Sequence, residues 1–218
     1  MNDSKYIQHW NYFCSITKQL ESTIDYIDHG TNYEGEEEFN LIHANVYSNA
    51  FKQIILLAGA EFEVITRNLC DNPDKEERNI VEISQSIFKK YPKLIETEVI
   101  TMFWVGHPLK EWSVVQTPKG DKSVMGIDWW DVYNDLKHHK EDSFQNATLK
   151  NAVFSVAALY IIHLYLMNKQ FEGLGLLGMY PPSYFKCKYE PQYVFAAQGM
   201  LPDFGNKSAA EVFKEQFD

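Results

Sequence analysis

At 218 residues, with 45% hydrophobic, 15% aromatic and 23% charged residues, the chain has a folded domain's composition, which excludes disorder for its bulk. A net charge of −10 and a pI near 5.2 weigh against bulk attraction of nucleic acid, although a local basic patch inside a cleft escapes that argument. Three scattered cysteines, Cys14, Cys70 and Cys187, point to a reducing compartment and away from a disulfide framework or a zinc knuckle.

The first residues lack the basic-then-apolar pattern of a secretory signal. A first helix is expected from a cap at Asp3 or Ser4 to about Ile27, since Tyr6, Trp10, Phe13, Leu20, Ile24 and Ile27 recur at helical spacing. Gly30 and the acidic run 34–38 read as a loop. A second helix fits Ala44–Cys70, with Ala50, Ile54, Leu57, Val64 and Asn68 as its stripe and Glu61 falling on it; Asp71-Asn-Pro ends it. A buried carboxylate needs a partner, and Lys137 or His138 across a helix interface is the expected one for Glu61. A third helix covers Asn79–Lys90 and stops at Tyr91-Pro92.

From Glu98 to Met125 β-branched and aromatic residues alternate with glycine and proline, predicting a hairpin or ordered excursion with a turn at Gly120-Asp121. The tryptophans around it, Trp104, Trp112, Trp129 and Trp130, read as core. Asp128 caps a short helix to about Lys140, and Ser143 or Asn146 starts another running to Asn168. Its apolar run Ala152–Met167, interrupted by Ser155 and His163, reads as a buried helix, too short to span a bilayer comfortably, with His163 a satisfied core histidine. A cytoplasmic protein with no membrane partner is therefore expected. Residues 171–218 are expected to be an irregular extension packed on the same domain as residues 1–170, with a last helix over Ser208–Phe217. The letters Gly173-Leu-Gly-Leu-Leu-Gly178 follow a helix and precede Met-Tyr-Pro-Pro, so they lack the strand–helix context of a dinucleotide site, and no cofactor is expected.

Chemistry concentrates in Asp128-Trp-Trp-Asp-Val-Tyr-Asn-Asp-Leu-Lys-His-His-Lys140. On a helix Asn134, Lys137, His138 and Glu141 share one face, and Asp131, Asp135 and His139 an adjoining one, with Trp130, Tyr133 and Leu136 as anchors. A lysine and an imidazole within one turn can hold phosphate and move protons; equally, such residues favour a helix C-terminus for its dipole alone. Adjacent histidines point about 100° apart, so His138 and His139 do not readily share an ion, and no metal is expected.

The run Trp-Trp-x-x-Tyr-Asn-x-x-Lys-His-x-Lys, then Phe144 and Ala147-Thr148-Leu149-x-Asn151, resembles bacterial HEPN-like proteins over Asp128–Leu166, and more weakly over Glu61–Arg67. The resemblance does not extend to residues 170–218. It implies a mainly α, up-and-down helical bundle, here with a small β-containing excursion over about 98–125, that dimerises with two polar motifs facing each other. Many such proteins are metal-independent ribonucleases of toxin–antitoxin or phage-defence systems, and others bind RNA, nucleotides or proteins. Carried over, His138 is the acid/base, Asn134 orients it and Lys137 holds phosphate, with Arg67, Lys140, Glu61 and Tyr133 as substrate-binding candidates. The catalytic members' Arg-x4–6-His spacing is absent, since neither Arg67 nor Arg78 has a histidine at that distance downstream. Two functions remain open. An RNA-directed factor or ribonuclease would gather Arg67, Lys137 and Lys140 in one cleft. A non-catalytic module that binds an antitoxin, a regulatory protein or another ligand would have a cleft dominated by Asp131, Asp135 and Glu63.

Overall fold

The computed structural model describes residues 3–31, 41–70, 79–171, 184–187, 192–196 and 199–203. The acidic run 34–38, the Asp71-Asn-Pro stop, Arg78, the glycine run 173–178 and the expected C-terminal helix lie outside them. The described chain is mainly helical, with small antiparallel sheets.

Helix α1 spans Asp3–Ser22 and passes into a 3-10 turn at Thr23–Asp25, short of the expected Ile27. Helix α2 spans Asn49–Leu69 rather than starting at Ala44. Ser48 is extended there, and its hydroxyl accepts the Phe51 N–H at 3.1 Å, which fixes the start. The preceding residues are instead tied to the beginning of α5: Leu149 N–H donates to Val46 O and Lys150 N–H to Ala44 O. The buried stripe of α2 is Phe51, Ile54, Ile55, Ala58, Phe62, Ile65 and Leu69, so the expected stripe was out of phase, with Ala50 and Val64 exposed. Helix α3 spans Ile80–Lys90, with the Asn79 side chain accepting from Glu82 N–H.

The excursion forms β1 (Val99–Ile100), β2 (Val105–Gly106), β3 (Ser113–Gln116) and β4 (Lys122–Met125), paired antiparallel as β1–β2 and β3–β4. Strand β5 (Lys186–Cys187) joins the other edge of β1, and β6 (Gln192–Ala196) pairs with β7 (Gly199–Asp203). The four tryptophans are buried, as the sequence predicts.

Helix α4 spans Asp128–Lys137 and α5 Leu149–Phe171, separated by a 3-10 turn at Ser143–Asn146. Asp128 is the first residue of α4 rather than its cap. Helix α5 is longer than its apolar run suggests, long and apolar enough to cross a membrane by length and composition, and 83% of its most apolar window is buried inside the protein. It is apolar all round because it is covered all round: α1, α2 and α4 pack on it, and Phe185 stacks on Tyr160 at 5.9 Å. Helices α2 and α5 run parallel, since their starts are joined through residues 44–48 while the Lys169 ammonium binds the carbonyls of Asn68, Leu69 and Cys70 at their ends.

Candidate functional site

The polar segment is anchored through α4. Trp129, Trp130, Tyr133 and Leu136 are buried, and the Phe62 ring of α2 packs perpendicular to Trp129 at 5.0 Å and tilted on Trp130 at 5.7 Å. The two helices approach closely because α2 has glycine at position 59: a Cβ there would stand 2.3 Å from the Tyr133 ring. Tyr133 is thus a packing residue, 2% exposed, whose hydroxyl reaches the Glu63 carboxylate at 3.3 Å.

The Lys137 ammonium meets the same carboxylate at 3.3 and 3.4 Å and lies 5.2 Å from the centre of the Tyr133 ring. Burial pulls this ammonium toward neutrality, but the Tyr133 hydroxyl and the Glu63 carboxylate outweigh it and hold its pKa above the ordinary value. Burial, with the Glu63 charge adding to it, raises the Tyr133 hydroxyl. Lys140 pairs with Asp135 at 2.5 Å. Burial and the neighbouring Asp128 and Asp135 push the Asp131 carboxyl up, so this side of α4 has a negative surround.

Helix α4 ends at Lys137, three residues earlier than expected. The His138 N–H closes the last turn on Asn134 O at 3.0 Å, and His139 then enters the left-handed region at φ 52°. His138 is exposed at this cap and makes no side-chain hydrogen bond among the described residues. The expected face is therefore cut short: Asn134, Lys137 and His138 share it, and Glu141 lies beyond the helix. Asn134 does not orient the imidazole, because its amide donates to Trp130 O at 2.9 Å.

Glu61 is buried, as its place in the helix predicts, but its partner is neither Lys137 nor His138. His9 Nδ1 of α1 lies 2.6 Å from its carboxylate, on the opposite flank of α2 from Glu63. Burial raises the Glu61 pKa, and the His9 contact opposes the rise without cancelling it. Arg67 is exposed one turn beyond Glu63, with no ion pair among the described residues. The site therefore brings Lys137, Tyr133 and Glu63 together, keeps His138, Lys140 and Arg67 at the surface, and removes Glu61 to another interface. His9 was missed although it stands three residues after Tyr6 and four before Phe13, spacing that borders the α1 stripe. His163 is fully buried among Tyr6, Trp10 and Phe13, yet neither ring nitrogen has a hydrogen-bond partner, so it is a core histidine but not a satisfied one.

No family model, no curated protein and no solved structure matches the chain.

Proposed function

We propose that the chain is a HEPN-like helical bundle, acting as a cytoplasmic homodimer, whose α4 face is a binding and regulatory site in a toxin–antitoxin or phage-defence setting. The observation that carries this reading is charge neutralisation. Glu63 pairs with Lys137, Asp135 pairs with Lys140, and Asp128 and Asp131 add negative charge beside them. Such a face repels a phosphate backbone and suits a protein partner such as an antitoxin.

The exposed imidazole of His138, beside Lys137 at the open end of α4, favours a second reading as a metal-independent ribonuclease. His138 would take the proton of a ribose 2′-hydroxyl as its oxygen attacks phosphorus. The bond to the 5′-oxygen would break and that oxygen would take a proton from water, leaving a 2′,3′-cyclic phosphate and a 5′-hydroxyl, with Lys137 or Arg67 stabilising the phosphorane charge. Incubating mixed RNA with the purified protein in EDTA, beside His138→Ala, separates the two. Intact RNA in both supports the binding module. Cleavage that disappears in His138→Ala overturns it in favour of the nuclease.

A further inference from the structure

Thr23, His29 and Tyr184 form a buried chain of hydrogen bonds that runs in one direction. The Thr23 hydroxyl gives its only proton to Leu20 O at 2.7 Å, so its oxygen accepts from His29 Nε2–H at 2.8 Å. The imidazole proton therefore sits on Nε2, and the bare Nδ1 accepts the Tyr184 O–H at 2.7 Å. Donors and acceptors match while the ring is neutral. An imidazolium carries N–H on both nitrogens, so Nδ1 would meet the Tyr184 hydroxyl as a second donor. Among the described residues that hydroxyl has no other acceptor to turn to.

The tyrosine ties a short segment to the helices. Phe185 stacks on Tyr160 of α5 at 5.9 Å, and Tyr160 stacks in turn on Phe13 of α1 at 5.8 Å. Lys186 and Cys187 add β5 to one edge of β1 through two residue pairs. Residues 184–187 are thus fastened by one hydroxyl, one ring and one short ladder, whereas α1, α2, α4 and α5 also pack on one another directly. The groups facing His29 are Asp28 beside it, Tyr184 from the segment, and the uncharged Phe103 ring from the β1–β2 turn at 6.3 Å; the Glu21 charge of α1 is felt at Tyr184. Burial outweighs the Asp28 carboxylate and lowers the imidazole pKa to about 4.

We propose that this hydrogen-bond chain is an acid-sensitive latch: protonation of His29 releases residues 184–187 as a strap and bares the β1 edge while the helices stay folded. None of these residues belongs to the α4 face, so the assignment stands or falls apart from the function proposed above. The closed strap holds the imidazole neutral, and the released strap lets it titrate at the ordinary 6.5. Release is therefore favoured as pH falls below 6.5 and gains nothing further below 4. Between pH 7 and pH 5 the open fraction rises about twentyfold.

Hydrogen–deuterium exchange of the full chain at pH 7, 6 and 5, read by mass spectrometry and corrected for the intrinsic rate at each pH, compares the strap with α2 and α5. The strap amides exchange faster than those of the helices throughout, and their protection falls about twentyfold from pH 7 to pH 5. In His29→Gln, whose amide offers a donor and an acceptor but takes no proton, strap protection is the same at all three pH values. Tyr184→Phe, lacking only the hydroxyl, loosens the strap about fivefold already at pH 7, the loss expected of one neutral hydrogen bond. Strap amides as protected as the helices, protection that holds at pH 5, a fall that persists in His29→Gln, or a strap indifferent to Tyr184→Phe overturns the latch.

Discussion

Gly59→Ala tests whether the α2–α4 approach is as close as described. In an isolated helix the change stabilises by about 0.5–1 kcal/mol, because glycine loses more backbone freedom on folding. Here the new Cβ would stand 2.3 Å from Cδ2, 2.4 Å from Cγ and 2.8 Å from Cε2 of Tyr133, all well inside the ordinary carbon contact of about 3.5–4 Å. The ring is buried and cannot swing to solvent without carrying α4 with it, so overpacking costs about 1–3 kcal/mol or more. The balance is a net loss of about 1–2 kcal/mol, measurable by urea denaturation. In a Tyr133→Ala background the obstacle is gone, and the same glycine change stabilises by the helix-propensity amount. A coupling of about 2 kcal/mol with a change of sign is therefore the expected cycle. Gly59→Ala having the same effect in both backgrounds would refute the close approach.

Burial lowers the His163 pKa from 6.5 to about 3, so above pH 6.5 both folded and unfolded forms are neutral and the group contributes nothing. As pH falls below 6.5 only the unfolded chain takes up the proton, and by pH 5 the fold loses about 2 kcal/mol through this residue. His163→Leu removes that part of the acid sensitivity, read as the difference between the two proteins' stability–pH curves. A parallel pair of curves would contradict it. His29, buried between Thr23 and Tyr184 and lowered to about 4, acts in the same direction and remains in both proteins. Lys169→Met strips the ammonium from the last three carbonyls along the end of α2 and costs about 1 kcal/mol in thermal denaturation.

What the sequence made legible was chiefly local. The excursion, the tryptophan core and the existence of each long helix among the described residues follow from period and composition, because those signals are summed over many residues. Phase is another matter. The α2 stripe was misassigned because Leu56, Leu57 and Val64 are as apolar as Ile55 and Ile65, and only the tertiary contacts with α5 and α4 decide which set is covered. Glu61 was correctly placed indoors even so, but its partner was invisible, since nothing in a single sequence says that α1 lies nearer to it than α4. The early end of α4 was hidden for a related reason. Lys137-His-His-Lys140 has good helix formers and no glycine or proline, yet the chain turns at His139 and Asp142 to bring α5 to the residues before α2.

Glu63 decides how the α4 face behaves, and its removal is the sharpest probe of that face. The Glu63–Lys137 pair is partly exposed, at 29% and 43%, so it is worth at most about 1 kcal/mol to the fold, and Glu63→Gln leaves the protein folded. The substitution nonetheless releases an ammonium and removes a carboxylate one turn from Arg67. If Lys137 is positioned to hold phosphate once unmasked, single-stranded RNA binds Glu63→Gln more tightly than the unaltered protein. Its logarithmic salt dependence then steepens by about 0.7, the increment for one added phosphate contact on a single strand. Fluorescence anisotropy across a salt series reads both quantities, and Lys137→Ala in the same background abolishes the gain. Unchanged affinity and slope mean that the lysine faces no strand even when unpaired. The α4 face then serves a partner that tolerates or requires the carboxylate, and His138, however open, has no substrate held beside it.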